Sequence, residues 1–319
     1  MANAQTADAP RLDPRKFRDP RRTAKGETRA TVALSALRTL WFNTGTLCNI
    51  TCRNCYIESG PRNDRLAYLT LAEVVGYLDE IVRDGLPTTE IGFTGGEPFL
   101  NPEFCDMVDV ALARGFHALV LTNAMKPMWL KRAPLLETGR RFGAMLTIRV
   151  SLDHYSQALH EIERGPKGWA PTVAGIDWLV REGFRVAIAG RLCWGESEAD
   201  ARRGYARLFA ERGWTIDAGD PAALVLFPEM DAEVDVPEIT TACWGILKKS
   251  PDAMMCASSR MVVKRRDAEA PAVVSCTLLP YDRQFELGGT LAEAAGAVAL
   301  NHPHCAKFCV LGGASCSGG

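Results

Sequence analysis

Three cysteines near the start of the chain have a spacing that could hold an iron–sulfur cluster. Cys48, Cys52 and Cys55 form a CxxxCxxC pattern, and the aromatic Tyr56 follows it. Cubane clusters are normally bound by four thiolates, one on each iron. Three thiolates leave one iron with an open coordination position, and open positions are where metal sites perform chemistry. A structural zinc site is the alternative, but it needs four ligands and no fourth cysteine lies nearby in sequence.

A glycine-rich turn follows at residues 95–98. Gly95 and Gly96 lack a Cβ, so their backbone can approach a ligand closely. Glu97 offers a carboxylate to an ammonium group, and Pro98 follows it. Taken alone, the same four residues could be an ordinary strand-to-helix turn in which Pro98 begins the helix.

A second group of cysteines lies in the last quarter of the chain. Eleven cysteines are more than packing requires in a cytosolic protein, where disulfides are rare, so clustered cysteines indicate metal ligands. Cys105 and Cys193 stand alone and are expected to be buried apolar side chains. The C-terminal group consists of Cys243, Cys256, Cys276, Cys305, Cys309 and Cys316.

The segments around these motifs alternate between strand-like and helix-like patterns. Six strands are predicted at residues 37–44, 89–94, 117–122, 144–152, 185–192 and 222–227. Helices are predicted between them at residues 71–83, 102–114, 127–137, 171–181 and 197–212. This alternation predicts an α/β fold, a partial (β/α)6 barrel of parallel strands, with the functional residues at the carboxyl ends of the strands.

The alternation stops after residue 228, which suggests three regions. Residues 1–35 are basic and lack apolar periodicity, which predicts a disordered basic tail. Residues 36–230 form the barrel, and residues 231–319 are expected to be a small C-terminal α+β cysteine-rich domain organised around metal rather than around a core. In that domain, 260–264 and 272–276 are strand-like.

The bulk composition narrows the classes of partner. The net charge of −1 and the pI of about 6.5 give no general attraction to nucleic acid or to anionic membranes. No apolar run approaches the roughly 20 residues of a membrane span, and the N-terminus lacks the apolar segment of a secretory signal. A cytoplasmic location is therefore expected, without nucleic-acid or membrane partners.

The CxxxCxxC pattern with its aromatic residue, followed one βα unit later by GGEP, resembles the radical S-adenosylmethionine superfamily over residues 38–228. The resemblance implies that the free iron is chelated by the amino and carboxylate groups of S-adenosylmethionine. Reduction then gives methionine and a 5′-deoxyadenosyl radical that abstracts hydrogen from a substrate. It assigns Gly95, Gly96, Glu97 and Pro98 to the cofactor.

Further cofactor-binding positions follow more weakly from the same resemblance. Each lies at or after the end of a predicted strand, where capping of the loop is an equal alternative. Arg164 could pair with the cofactor's carboxylate, and Arg191 is its rival for that role. The remaining positions are Tyr56, Thr122, Asn123, Ser151 and Asp153.

The C-terminal cysteines are similar to the twitch or SPASM-type extension of that superfamily, which holds an auxiliary 4Fe–4S cluster. Cys256, Cys276, Cys305 and Cys309 match its order best, Cys316 could replace one of them, and Cys243 is the spare. Three residues separate Cys305 from Cys309 where relatives usually have two. A four-thiolate zinc site is the alternative, and His302 and His304 could substitute as ligands.

The resulting hypothesis is a radical S-adenosylmethionine enzyme that performs an oxidation or a crosslinking, reduced by a flavodoxin- or ferredoxin-type partner. The substrate is expected to be a small molecule or a peptide, and no residue in the sequence identifies it. The catalytic residues are not assigned. A peptide- or protein-modifying maturase of the same superfamily is one alternative. A non-catalytic iron–sulfur electron carrier is the other.

Overall fold

The computed structural model describes residues 10–229 and 231–313. Its strands are β1 Thr31–Val32, β2 Thr39–Asn43, β3 Glu90–Thr94, β4 His117–Thr122, β5 Leu146–Ser151, β6 Arg185–Leu192, β7 Leu224–Pro228, β8 Ser259–Val263, β9 Ala272–Val274, β10 Glu286–Gly288 and β11 Val298–Ala299. Its α-helices are α1 Leu71–Arg83, α2 Phe104–Ala113, α3 Lys126–Leu130, α4 Arg132–Phe142, α5 Gln157–Arg164, α6 Trp169–Arg181, α7 Glu198–Arg212 and α8 Cys243–Leu247. Short 3-10 helices lie at Pro98–Leu100, Gly143–Met145, Pro251–Ala253, Met255–Ala257, Arg283–Phe285 and Glu293–Ala295, and a π-helix lies at Cys305–Leu311.

One sheet organises the molecule, with strand order β10-β9-β8-β2-β3-β4-β5-β6-β7. Strands β2 to β7 are parallel, each to its sequence neighbour, and are joined by helical crossovers. The outer strands β10 and β7 do not pair with each other within the described residues, so the barrel is open. This confirms the predicted partial barrel of six parallel strands.

Local sequence signals explain where the crossover helices begin and end. Thr70 caps α1: its hydroxyl accepts from the backbone N–H of Glu73, whose carboxylate accepts from the Thr70 N–H. Gly213 ends α7 in the left-handed conformation, with a φ of 67°. The sequence analysis did not predict α5, which is short and polar and begins only six residues after β5 ends.

The C-terminal strands extend the same sheet. β8 lies parallel to β2, and β9 pairs antiparallel with β8 as the predicted hairpin. Residues of this region also build a second apolar cluster that includes Met261, Val274 and Phe308. The expectation of a region organised around metal instead of a core therefore needs correction, because these side chains bury a core of their own.

The basic N-terminal segment is folded over residues 10–35, which corrects the prediction of a disordered tail for that part. β1 pairs antiparallel with β11, and Phe17 is buried in the second apolar cluster. Arg29 forms a buried ion pair with Glu238, with 2.5 Å between Nη2 and Oε1. Lys16 likewise pairs with Asp235, so two of the segment's basic residues meet acids far along the chain, which the local composition does not indicate.

Within the part of the chain that the structure describes, no helix is long and apolar enough to cross a membrane.

Candidate functional site

The three early cysteines meet at one cavity at the carboxyl ends of the strands. Cys48, Cys52 and Cys55 lie in a loop of residues 44–60 that follows β2, hereafter the cysteine loop. All three line one concave cavity, which is open to solvent and whose wall also includes Gly95 and Gly96. The strand ends of the parallel sheet thus gather the predicted metal ligands at the edge where such folds place function.

The glycine turn at residues 95–98 is fastened to the start of the cysteine loop. The Gly96 N–H donates to the Gly45 carbonyl at 2.8 Å, and the Glu97 N–H donates to the Leu47 carbonyl at 3.0 Å. A Cβ on Gly96 would lie 2.2 Å from the Leu47 oxygen. Gly95 has a φ of 146°, a region that side chains rarely adopt. Both glycines line the cavity, and their lack of a side chain also permits this close packing.

Glu97 is a buried carboxylate behind the cavity wall. Its Oε1 accepts from the Thr122 hydroxyl at 2.8 Å, and its Oε2 accepts from the Asn123 N–H at 2.9 Å. Burial raises the pKa of Glu97 to about 7, although these hydrogen bonds oppose the shift. Neither Glu97 nor the buried Pro98 is among the described residues that line the cavity, whereas Tyr56, Thr122 and Asn123 are.

One side-chain amide and one backbone N–H donate toward the sulfur atoms of the cysteine loop. The Asn123 side-chain amide lies 3.9 Å from Cys48 Sγ and donates to Asn49 Oδ1 at 2.9 Å. The Ser59 N–H donates to Cys55 Sγ at 3.4 Å. Burial raises the pKa of Cys48 to about 12, so binding a metal there must displace a proton from the thiol.

Asp153 and Arg164 form a buried ion pair in the cavity wall. The Arg164 guanidinium donates to both carboxylate oxygens of Asp153, with Nη2 at 3.2 Å from Oδ1. Burial alone would raise the pKa of Asp153, but the Arg164 charge outweighs it and the pKa is lowered. Ser151, at the end of β5, lines the same wall.

A second buried ion pair holds the cysteine loop from the other side. Arg191 Nη1 lies 2.9 Å from Glu163 Oε2, and Arg191 Nη2 donates to the Asn54 carbonyl at 3.2 Å. The Asn54 side chain donates to Glu163 Oε1 at 2.7 Å. Arg191 lines the cavity as predicted, but its guanidinium also fixes the segment between Cys52 and Cys55.

Several lining residues were not predicted from the sequence. Asn54 lies inside the CxxxCxxC pattern, and Glu163 directly precedes Arg164, so proximity to the motifs was the available signal. Arg149 is buried and lies on β5 two residues before Ser151, hence on the same face of the strand. Leu278 and Phe308 close the cavity from the C-terminal region, which no local pattern indicated.

The later cysteines surround a second, smaller cavity. Cys256, Cys276, Cys305 and Cys309 all line a space of about 350 Å³, together with His304. Burial raises the pKa of Cys256 to about 12; Cys276 adds to that shift and Arg260 opposes it. Cys243 does not line this cavity in the described residues and instead accepts from the Thr240 N–H. Cys316, the predicted substitute ligand, lies outside the described residues.

The four thiols of the second cavity form a donor set that suits more than one metal centre. Four cysteine thiolates bind a 4Fe–4S cluster, one on each iron, and they also bind a structural zinc ion. The donor set is therefore compatible with the predicted cluster and with the zinc alternative.

Comparison with known proteins agrees with this fold and site. Residues 42–202, half of the chain, match the family described as the Radical SAM superfamily. An open parallel barrel with a three-cysteine loop at its carboxyl edge defines an iron–sulfur protein of the S-adenosylmethionine type. The chain belongs to the radical S-adenosylmethionine superfamily of enzymes.

Individual relatives match over a shorter length. The antilisterial bacteriocin subtilosin biosynthesis protein AlbA of Bacillus subtilis is 31% identical over 143 residues, which are 44% of this chain and 30% of AlbA. The mycofactocin maturase MftC of Mycobacterium ulcerans is 28% identical over 141 residues, which are 43% of this chain and 35% of MftC. The matched segment thus spans about a third of the length of these relatives.

Solved structures share the fold at low sequence identity. Streptococcus suis SuiB bound to S-adenosylmethionine has a TM-score of 0.57 at 11% identity, covering 80% of this chain and 63% of SuiB. The enzyme anSMEcpe with bound S-adenosylmethionine has a TM-score of 0.56 at 14% identity, covering 81% of this chain and 79% of that one.

Proposed function

We propose that this chain binds a 4Fe–4S cluster through Cys48, Cys52 and Cys55 and cleaves S-adenosylmethionine reductively beside it. The observation that carries the proposal is that these three thiols line one cavity together with Gly95 and Gly96. When bound, the cluster and the cofactor supply methionine and a 5′-deoxyadenosyl radical that abstracts hydrogen from a substrate.

The residues around the cavity have distinct tasks in this proposal. The three thiolates hold the cluster, and the glycine turn leaves its backbone groups accessible to the cofactor's amino group. Glu97, which Thr122 and Asn123 hold in place, would stabilise the cofactor's amino group from behind the cavity wall. Arg164 would bind the cofactor's carboxylate, and Ser151 and Asp153 would bind its ribose.

The two candidates for the cofactor's carboxylate differ in their surroundings. Arg164 lines the cavity and is paired with the carboxylate of Asp153, without a hydrogen bond to the cysteine loop among its described contacts. Arg191 is shared between Glu163 and the backbone of the cysteine loop. We therefore assign the carboxylate to Arg164 and a positioning role to Arg191.

We further propose that Cys256, Cys276, Cys305 and Cys309 hold one auxiliary 4Fe–4S cluster. Their arrangement around the second cavity supports this assignment, and Leu278 lies in the wall of both cavities. Held by these four cysteines, the cluster would supply an electron acceptor beside the reaction cavity. A substrate radical that gave up one electron to it and one proton to solvent would leave as a two-electron oxidised product. Determination of bound iron, acid-labile sulfide and zinc tests the cluster against the zinc alternative.

The substrate is an unidentified small molecule or peptide, and the relatives favour a peptide. AlbA is a bacteriocin biosynthesis protein, MftC is a maturase, and SuiB has been solved with its precursor peptide SuiA. Peptide-modifying maturation is therefore the second candidate function. We place the reaction in the cytoplasm, where thiols stay reduced and a flavodoxin or ferredoxin can donate the electron.

The test is anaerobic reconstitution with iron and sulfide, followed by reduction in the presence of S-adenosylmethionine. The expected products are 5′-deoxyadenosine and methionine, detected by mass spectrometry. Cys52→Ala should abolish both products, while Cys105→Ala, a matched thiol in α2, should retain them. A fully loaded protein that cycles its clusters without forming 5′-deoxyadenosine would be an electron carrier, and the proposal would fail.

A further inference from the structure

Arg260 is a buried cation beside the second cavity. It lies on β8 and is 1% exposed. Its guanidinium donates to the carbonyls of Ala294 at 2.8 Å and Gly296 at 2.9 Å. It also donates to the carbonyls of Cys256 at 2.6 Å and Ser259 at 2.8 Å. Backbone carbonyls thus fix the position of the guanidinium, and every one of these acceptors is uncharged.

The charge of Arg260 lacks the neutralising partner that comparable arginines have. Within the described residues, no carboxylate lies within ion-pair distance of it, whereas the buried Arg29 pairs with Glu238 and the partly buried Arg164 pairs with Asp153. Burying an isolated charge costs much more free energy than burying a paired one. A fold that keeps such a cation therefore gains if an anion is bound close by.

The position of Arg260 indicates which anion that is. It donates to the carbonyl of Cys256 itself, and Cys256 lines the second cavity with Cys276. The positive charge of Arg260 is therefore held against the backbone of one proposed ligand of the second cavity, where a bound anionic centre would be its nearest counter-charge.

We propose that Arg260 is the counter-charge of the auxiliary iron–sulfur cluster and raises its reduction potential. The inference rests on the proposed assignment of Cys256, Cys276, Cys305 and Cys309 to that cluster. Reduction adds one negative charge to the cluster, and a fixed cation in a poorly solvated site stabilises the reduced state more than the oxidised state. Arg260 is a positioning residue that favours electron acceptance by the cluster; it does not contact the substrate.

The test is a redox titration of the intact, reconstituted protein, monitored by electron paramagnetic resonance for both clusters. Arg260→Gln removes the charge, and Arg260→Lys retains it. In Arg260→Gln the reduction equilibrium of the auxiliary cluster should shift at least tenfold toward the oxidised form, about 59 mV for one electron. In Arg260→Lys it should stay near that of the unaltered protein, and the cluster at Cys48, Cys52 and Cys55 should not shift in either variant.

An unchanged auxiliary potential in a cluster-loaded Arg260→Gln variant would overturn the proposal. If Arg260→Gln does not retain the auxiliary cluster, the iron content of the two variants is compared instead. Retention of the cluster in Arg260→Lys would support a role of the positive charge, and loss of the cluster in both variants would refute the proposal. Formation of 5′-deoxyadenosine is measured in parallel. Zinc in place of the auxiliary cluster would refute the inference while leaving cleavage of S-adenosylmethionine at the first cluster intact.

Discussion

At the scale of single residues, the proposed role of Glu97 would link the acid–base state of the protein to cofactor binding. Its carboxylate is buried and held by Thr122 and Asn123. Because burial raises the pKa of Glu97 to about 7, the group is largely neutral in mildly acidic solution and becomes anionic as the pH rises through that value. The anionic form would stabilise the polarised N–H groups of the cofactor's iron-bound amine.

The affinity of the oxidised, cluster-loaded protein for S-adenosylmethionine should therefore rise between about pH 5.5 and about pH 7.5, because the anionic carboxylate stabilises the N–H groups of the iron-bound amine better than the neutral acid does. Glu97→Gln should bind more weakly at the upper end and should lose most of this pH dependence. Equilibrium binding at several pH values measures both. A pH profile that is the same in the variant and in the unaltered protein would remove Glu97 from the site of the amino group.

At the scale of elements, the site depends on the contact between the glycine turn and the cysteine loop. Gly96→Ala would place a Cβ 2.2 Å from the Leu47 carbonyl oxygen, one residue before Cys48. Such overpacking costs about 1–3 kcal/mol and must displace the loop. We expect lower stability in denaturant and reduced retention of the first cluster, with the auxiliary cluster retained.

Gly76→Ala is the matched control for this substitution. Gly76 lies in α1 with nothing within 4 Å of an added Cβ, so alanine should leave both clusters in place. It should also stabilise the helix by about 0.5–1 kcal/mol, because alanine has the higher helix propensity. Equal loss of the first cluster in both variants would contradict the contact described for Gly96.

A comparison of the observed strands and helices with the predicted ones shows which parts of the fold the sequence predicts. The alternation of strands and helices predicted β2 to β7, and α1, β4 and β6 match their predicted bounds. The three cysteines of CxxxCxxC and the two glycines of GGEP line one cavity because parallel strands align their carboxyl ends, whereas Glu97 and Pro98 lie outside its lining. The Asn54–Glu163–Arg191 network was not foreseen, because it joins residues up to 137 positions apart and has no local signature.

At the scale of the whole molecule, the N-terminal segment fastens the C-terminal region that carries the second cavity. Residue pairs that are more than 200 positions apart hold the two together, among them Lys16–Asp235 and Arg29–Glu238. Arg29 also donates to the carbonyl of Leu300, which lines the second cavity. The segment thus contributes to the shape of that cavity.

Glu238→Gln should destabilise the protein by about 3–5 kcal/mol, because it leaves the buried Arg29 charge without its partner. The measurement is the midpoint of denaturant unfolding, with retention of the auxiliary cluster as a second readout. Arg203→Gln is the control, since its pair with Asp200 on α7 is exposed and should contribute little. An unchanged midpoint in Glu238→Gln would mean that the N-terminal segment does not stabilise the fold.

The central claim is that the cluster at Cys48, Cys52 and Cys55 offers an open iron to S-adenosylmethionine inside the first cavity. The most direct test is the electron paramagnetic resonance spectrum of the reduced, reconstituted protein before and after addition of S-adenosylmethionine. We expect S-adenosylmethionine to change the signal of one cluster. This change should persist in a Cys256→Ala/Cys276→Ala variant. It should be absent when Cys48, Cys52 and Cys55 are replaced by alanine. A spectrum that stays the same at saturating S-adenosylmethionine would contradict the central claim.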